Sequence, residues 1–327
     1  MANKKTLSEL MAEAEKGGTF AVEAGTESAS VVSDVPMLNP NTDEDDEVFF
    51  TVKDDSTVEI DMDKLREFKL FLATPCYGGQ ITDQYFLSMF KTSQILMQHG
   101  IDFRVTTLRN ESLVTRARNI LQAMFLQDTQ MTHLMFIDAD IEWEPDSIIR
   151  MLSMNKDIIV GAYPKKTIDW NSVKAAAKMG HDNLEDFQAE YALNLKFHVA
   201  EDGTKSVVAK NGAIELLDAS TGFFMVKRRV FDKFIANYPE LKYNNDSAID
   251  PKFNDYCYAF FDTMIDPDDR RYLSEDYTFC RRAQDLGIRV WLDPNTNLNH
   301  VGTYTFKGNI GRLFSVASEP LPMDITT

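Results

Sequence analysis

Apolar residues follow two alternating patterns from residue 68 to residue 162. Short apolar runs that end at turn-forming residues predict buried strands, and apolar residues spaced three or four positions apart predict amphipathic helices. The predicted strands are 68–73, 101–108, 134–137 and 158–162, and the predicted helices are 84–99, 112–127 and 145–154. Gly100 ends the first helix, Ser112 caps the second and Pro145 begins the third. This alternation is typical of an α/β protein with a mainly parallel sheet flanked by helices.

The pattern is less regular after Tyr163. Segment 172–191 is partly helical, and helices are predicted at 228–238 and 275–286, the latter closed by Gly287. The remaining predicted strands are 196–200, 206–209, 213–218, 223–226 and 288–292. We therefore expect a smaller mixed region beside the sheet.

The first 66 residues differ in composition from the rest of the chain. They contain 16 acidic and 6 basic side chains, including the run Asp43-Glu44-Asp45-Asp46-Glu47. Such a run repels itself and stays solvated. We predict an acidic N-terminal extension over 1–66 that is flexible over 1–50. A short helix at 6–16 and edge strands at 48–52 and 58–60 are its candidate elements.

Composition limits the class of protein. The 327 residues are 44 % hydrophobic and 26 % charged, which is ordinary for a globular chain. No apolar run is long enough for a transmembrane helix, and the N-terminus lacks the apolar core of a secretory signal. Three scattered cysteines favour a reducing cytoplasm over a disulfide framework. The net charge of −17 disfavours nucleic acid as a partner.

The strongest chemical motif is Asp138-Ala139-Asp140, which directly follows a predicted buried strand. Ligands of parallel sheets bind at the carboxyl ends of the strands. Two carboxylates at that edge are suitable oxygen ligands for Mg²⁺ or Mn²⁺, which would bridge them to a diphosphate. A simple strand-end turn is the alternative, because this spacing is common.

Three further motifs could carry chemistry. Thr221-Gly222 precedes a strand, and there the backbone can approach a sugar or phosphate closely, although a plain turn explains it equally. Glu275-Asp276 begins a helix, either as a cap that suits the helix dipole or as a base for an acceptor hydroxyl. His300 is either structural or a metal ligand. The aromatic and acidic stretch 256–272, just before Glu275, could form an acceptor cleft with rings that stack on sugars.

The order of these motifs resembles that of GT-A glycosyltransferases, which share a D-x-D, a glycine loop, an x-E-D triplet and a C-terminal histidine. Segments 110–126, 161–166, 221–231 and 274–294 are similar to a group from large DNA viruses, phages and bacteria. That group includes the chlorovirus glycosyltransferase domain and Anp1-type mannosyltransferases. The resemblance covers about 68–312 and implies a GT-A (Rossmann-like) fold over 67–327, with a nucleotide-sugar half at 67–165 and an acceptor half at 166–312.

The resemblance implies a role for each matching position on the donor side. Thr74, Pro75 and Tyr77 would hold the nucleotide, with Tyr77 stacking on the base. Arg116 would meet the diphosphate or brace Asp138, or it is a surface arginine.

It also implies roles around the metal and the acceptor. Asp140 and His300 would bind Mn²⁺ or Mg²⁺, with Asp138 near the ribose or the metal. Lys165 and Lys166 would face the phosphates or the acceptor, or form a solvated pair. Asp276 would be the catalytic base, with Glu275 as its rival.

The implied reaction is sugar transfer from a nucleotide-diphosphate sugar to a hydroxyl of a glycan or glycoconjugate, with inversion if Asp276 is the base. The implied location is the cytoplasm, or the host cytoplasm for a viral protein. One alternative is glycosylation of hydroxymethylated DNA bases, for which 227–229, 270–271 and 281–282 offer basic side chains, although the acidic balance disfavours it. A non-catalytic sugar-binding protein is another. A nucleotidyltransferase is disfavoured because 74–80 contains no Lys or Arg.

Overall fold

The computed structural model describes residues 20–24, 27–33, 47–54, 57–199, 205–246 and 249–303. The strands in these residues are β1 (Phe20–Ala24), β2 (Glu27–Ser33), β3 (Phe50–Asp54), β4 (Thr57–Ile60), β5 (Lys69–Cys76), β6 (Asp102–Arg109), β7 (His133–Ile137), β8 (Ile141–Trp143), β9 (Ile158–Val160), β10 (Leu193–Leu195), β11 (Phe197–Val199), β12 (Lys205–Lys210), β13 (Ala213–Ala219), β14 (Phe223–Lys227), β15 (Met264–Ile265), β16 (Tyr272–Leu273), β17 (Val290–Leu292) and β18 (Leu298–His300). The α-helices are α1 (Met62–Leu65), α2 (Asp83–His99), α3 (Val114–Gln127), α4 (Asp146–Ser153), α5 (Trp170–Met179), α6 (Arg228–Asn237) and α7 (Glu275–Asp285).

One large sheet organises the fold. Its strand order is β1-β2-β12-β13-β17-β9-β14-β7-β5-β6, and β10 and β11 pair with β13 and β12. Strand β5 runs parallel to β6 and β7, and β9 runs parallel to β17. Strand β14 lies antiparallel between β7 and β9, so the sheet is mixed. The predicted α/β architecture with flanking helices is confirmed.

The alternation of side chains along the strands forms two cores, one on each face of the sheet. Phe71 and Phe136 pack on one face, with residues of α3, α6 and α7. Leu72 and Met135 pack on the other face, with residues of α2 and α4. Neighbouring residues of a strand point to opposite faces, so a strand that is apolar throughout serves both cores.

Most predicted helix ends agree with the structure. Helix α2 stops at Gly100, whose φ of 72° suits glycine at a helix end. Pro145 precedes α4 as predicted. The cap predicted at Ser112 is wrong, because α3 begins after Leu113 and the carboxylate of Glu111 accepts a hydrogen bond from the Leu113 amide. Glu111 thus satisfies the amide of the residue that immediately precedes α3.

The N-terminal strands differ from the sequence prediction. Strands β3 and β4 pair with each other in a separate two-stranded sheet, instead of joining the edge of the large sheet. Strands β1 and β2 were not predicted, and β2 runs parallel to β12. The helix at 6–16 lies outside the described residues. None of the helices in the described part of the chain combines the length and apolar character needed to span a membrane.

Candidate active site

The D-x-D motif lies at the carboxyl end of β7, beside the glycine motif. The Asp138 amide donates a hydrogen bond to the Gly222 carbonyl at 2.9 Å, which continues the antiparallel pairing of β7 with β14. The Val301 amide donates to the Asp140 carbonyl at 2.8 Å, and β18 pairs with β8. Sheet pairing therefore brings the D-x-D, glycine and histidine motifs to one edge.

Arg118 connects the two acidic motifs. Its Nη2 lies 3.0 Å from Asp138 Oδ1, and its Nε lies 3.3 Å from Glu275 Oε1. The side chain is almost fully buried, and its Nη1 has no hydrogen-bond partner among the described residues. Burial opposes the charge, but the two carboxylates outweigh burial and raise the pKa of Arg118. A fixed positive charge therefore lies between the D-x-D motif and the start of α7.

Asp140 faces His300 and Lys166. His300 Nε2 lies 3.5 Å from Asp140 Oδ1, and the Lys166 ammonium donates a hydrogen bond to Asp140 Oδ2. Burial raises the pKa of Asp140, but the hydrogen bonds from His300 and Lys166 outweigh burial and lower it to about 2. Asp140 is therefore an anion at neutral pH.

The orientation of His300 is set by the loop that follows β9. Its Nδ1 lies 2.9 Å from the Pro164 carbonyl oxygen, which can only accept, so Nδ1 carries the hydrogen. Nε2 faces Asp140 Oδ1; it donates to that carboxylate when the ring is protonated and offers a lone pair to a cation when the ring is neutral. A hydrogen bond of this kind commonly orients metal-binding histidines in proteins.

Asp276 is largely enclosed at the start of α7. It accepts hydrogen bonds from the Ser274 hydroxyl and, at 2.8 Å, from the Tyr277 amide. Burial is the main reason that the pKa of Asp276 is raised, and the neighbouring charge of Glu275 adds to it. A carboxylate with a raised pKa is a stronger base than an exposed aspartate.

Gly222 allows an aromatic ring to approach the site. A Cβ at this position would lie 2.6 Å from the ring of Tyr163, which itself packs edge-on against His300. Burial is the main reason that the pKa of Tyr163 is raised. The side chain of Thr221 is buried, and its hydroxyl has no partner among the described residues. Gly222 is therefore required for packing whether or not it also contacts a ligand.

The predicted nucleotide residues lie at the end of β5 and directly after it, in different environments. Thr74 is fully buried and its hydroxyl lies 2.6 Å from that of Tyr85, so the Thr74 side chain does not line the surface of the site. Pro75 is half-buried, and Tyr77 is 77 % exposed. Tyr77 is thus available for stacking on a base.

Arg116 and Lys165 make other ion pairs. Arg116 lies 2.7 and 2.8 Å from the two carboxylate oxygens of Glu111, so the predicted contact with Asp138 is made by Arg118 instead. Residues two apart on a helix point in different directions, which explains the exchange. Lys165 lies 3.6 Å from Glu190 on the surface.

The stretch 256–272 does not present the aromatic wall that the sequence suggested. Phe260 and Phe261 are completely buried in the core, and Tyr258 is nearly so. Phe261 stacks on Phe279 of α7 at 4.3 Å between ring centroids. Tyr272, unlike these rings, is exposed. These rings therefore fix α7 to the sheet.

Several basic side chains of the three arginine-containing clusters are used for structural contacts. Arg228 donates to backbone carbonyls of 125–131, and Arg282 donates to those of 259 and 260. Arg229 pairs with Asp157, and Arg281 pairs with buried Asp218 at 2.7 Å. These four side chains do not line a basic groove for DNA.

The donor atoms of Asp140 and His300 fit a divalent cation. One carboxylate and one imidazole, with donor atoms 3.5 Å apart, can both lie about 2.1 Å from one ion. Among the described residues, no three His, Cys, Asp or Glu side chains form a closed metal site. Mg²⁺ sites often use one or two carboxylates and complete their shell with substrate phosphates and water.

Sequence reasoning missed Arg118 and Tyr163 as members of the site. Arg118 shares a helical stripe with Leu121 and Phe125, three and seven residues further on, and both of these are fully buried. A charged residue on a buried stripe needs a partner, and this was the available signal. No sequence feature distinguishes Tyr163.

No protein-family model matches the chain. No curated protein matches it either. Similar solved structures include A197 from STIV, at 15 % identity and a TM-score of 0.38 over 72 % of this chain and 86 % of that one.

Two further similar structures are of proteins with nucleotide-related names. The inositol-1-phosphate CTP transferase from T. maritima is 10 % identical, with a TM-score of 0.33 over 71 % of this chain and 88 % of that one. The 4-diphosphocytidyl-2C-methyl-D-erythritol synthase from Anaerococcus prevotii is 8 % identical, with a TM-score of 0.28 over 68 % of this chain and 98 % of that one. Overlays at these scores do not assign a family or an activity.

Proposed function

We propose that this chain is a metal-dependent glycosyltransferase that moves a sugar from a nucleotide-diphosphate sugar to an acceptor hydroxyl with inversion. The observation that carries the proposal is the meeting of two acidic motifs around one buried arginine. Asp138 lies on one side of Arg118 and Glu275, next to Asp276, lies on the other. Sugar transfer needs a site for a leaving diphosphate and a base for an incoming hydroxyl. The D-x-D motif would supply the first, and the acidic pair at the start of α7 would supply the second.

On the donor side, Asp140 and His300 would hold Mn²⁺ or Mg²⁺. The bound cation would offset the negative charge that develops on the leaving diphosphate. Asp138 would stay oriented by Arg118, and exposed Tyr77 would stack on the nucleotide base with Pro75 beside it. Thr221 and Lys165 remain candidates for contacts to the donor.

On the acceptor side, Asp276 would act as the base. As the acceptor oxygen forms its bond to the anomeric carbon, the acceptor proton passes to the Asp276 carboxylate. The bond between the anomeric carbon and the diphosphate oxygen breaks, and its electron pair leaves with the diphosphate. Attack opposite the leaving group inverts the anomeric centre. Glu275 is less suited to this role because it accepts a hydrogen bond from Arg118.

Ligand preference tests the proposal without turnover. We expect isothermal titration to detect binding of a nucleoside diphosphate or its sugar conjugate, strengthened by Mn²⁺. Tyr77→Ala should weaken that binding, by about 1–3 kcal/mol if the ring stacks on the base. Phe197→Ala, a change at an exposed aromatic on β11, is the control. Binding of nucleoside triphosphates alone would contradict the proposal and favour a nucleotidyltransferase.

A further inference from the structure

Both carboxylate oxygens of Asp140 already face protein groups. The Lys166 ammonium donates a hydrogen bond to Oδ2, and His300 Nε2 faces Oδ1 at 3.5 Å. Lys166 lies 26 residues from Asp140 in the chain, so the contact depends on the fold and not on local geometry. The ammonium therefore occupies one oxygen of the carboxylate whose other oxygen, with His300 Nε2, would hold a cation.

The loop that carries Lys166 is fixed at several points. The Lys165 amide donates to the Glu190 carbonyl at 2.7 Å, and Pro164 forms a β-bridge with Tyr191. The same Pro164 supplies the carbonyl that orients His300. One loop thus positions both groups that face Asp140.

Gly302 provides space for the Lys166 side chain. A Cβ at Gly302 would lie 2.8 Å from Lys166 Cδ and 3.2 Å from Cε. The absence of a side chain at this position allows the lysine stem to pass over the backbone toward Asp140. The side chain nevertheless remains 42 % exposed, so it is free to move away from Asp140 without disturbing the core.

We propose that the Lys166 ammonium competes with the divalent cation for Asp140, so that cation binding requires Lys166 to leave. The ammonium on Oδ2 and a metal ion on Oδ1 would lie on the two oxygens of one carboxylate, and like charges this close repel most strongly where water is partly excluded. The pairing with Lys166 weakens cation binding and keeps the Asp140 charge neutralised before the cation arrives. This inference rests on the metal-dependent function proposed above.

The test is Mn²⁺ affinity of the full chain without nucleotide, measured by electron paramagnetic resonance. Lys166→Met should bind Mn²⁺ about tenfold more tightly than the unaltered protein, because one positive charge leaves the site. Lys166→Gln should behave like Lys166→Met. Lys165→Met is the matched control, because the neighbouring Lys165 pairs with Glu190, and its Mn²⁺ affinity should not change.

The results separate this inference from the proposed function. If Lys166→Met and Lys166→Gln bind Mn²⁺ no more tightly than the unaltered protein, the competition is overturned while the metal site stands. Competition at Asp140 is also overturned if Lys165→Met gains as much affinity as Lys166→Met. If Asp140→Asn binds Mn²⁺ as well as the unaltered protein, Asp140 is not a ligand and the metal-dependent function fails with it. Thermal unfolding of each variant checks that it folds.

Discussion

The guanidinium of Arg118 lies 3.0 Å from the carboxylate of Asp138, and the arginine is almost fully buried. The same guanidinium contacts Glu275, 157 residues later in the chain. A buried arginine is tolerated only where carboxylates balance its charge, so the two acidic motifs and Arg118 depend on each other. This relationship is the structural centre of the candidate site.

Removing Arg118 should therefore destabilise the protein. Arg118→Met leaves two largely enclosed carboxylates without a cation and should lower the free energy of unfolding by about 2–4 kcal/mol. Arg116→Met removes a pair with Glu111 in which the arginine is exposed, and it should lower the free energy of unfolding much less. Urea unfolding of the two variants measures the difference. Equal losses would contradict a central role for Arg118, and Arg118→Lys provides a milder variant if Arg118→Met does not fold.

The base assignment predicts unequal effects of two neighbouring carboxylates. Asp276→Asn should lower the rate of transfer by about 10²–10⁴, while donor and metal binding stay nearly intact. Glu275→Gln should do less to transfer. Steady-state rates and donor titrations of both variants provide the comparison. If Glu275→Gln loses more of the transfer rate than Asp276→Asn does, Glu275 is the base. If both variants transfer at the normal rate, the two carboxylates only cap the helix and the base assignment is wrong.

The same assignment predicts the acid limb of the pH profile. The pKa of Asp276 is raised by burial, so Asp276 takes up its proton at a higher pH than an exposed aspartate does. As pH falls, the rate of transfer should therefore begin to decline at a higher pH than it would with an exposed aspartate as the base. The residual rate of transfer in Asp276→Asn should not show this decline at low pH.

His133 should make the stability of the fold sensitive to acid. Burial, the largest cause, lowers its pKa to about 3, with Lys227 and Arg229 contributing. Unfolded His133 has a pKa of about 6.5, so between these values the unfolded chain binds one more proton. Stability contributed by neutral His133 is present above about pH 6.5 and is lost as pH falls toward 3, by up to about 1.4 kcal/mol per pH unit.

Urea unfolding between pH 4 and 7 tests this linkage. His133→Leu should show a shallower loss of stability with falling pH than the unaltered protein does. His181→Gln, a change at an exposed histidine, should leave the slope unchanged. Identical slopes in all three proteins would mean that His133 takes up its proton as readily in the folded as in the unfolded chain.

The local elements were predictable because each leaves a pattern in adjacent residues. Strand β7 is a continuous apolar run after His133, and α2 ends at a glycine with positive φ. The antiparallel direction of β14 was not predictable, because nothing in its segment specifies a distant partner. Strand pairing depends on the burial of whole faces, which a local pattern does not contain.

The site was predictable in its motifs but not in its contacts. Sheet pairing brings His300 beside Asp140, as the order of motifs suggested. The exchange of Arg116 for Arg118 depends on which face of α3 is buried, and the apolar stripe of Leu121 and Phe125 was the signal for that face. The aromatic rings of Phe260 and Phe261 were assigned to a cleft, but apolar rings of this size gain more from burial in the core.

Metal-dependent sugar transfer is the central claim, and product analysis tests it most directly. The full chain is incubated with a panel of nucleotide-diphosphate sugars and Mn²⁺, with and without chelator, and products are followed by phosphorus and proton NMR. With water as the acceptor, we predict that one donor is hydrolysed to a nucleoside diphosphate and a sugar whose anomeric configuration, read before mutarotation, is inverted, and that chelator or Asp140→Asn removes nearly all of this turnover. Full turnover in excess chelator, or in Asp140→Asn, would contradict the account.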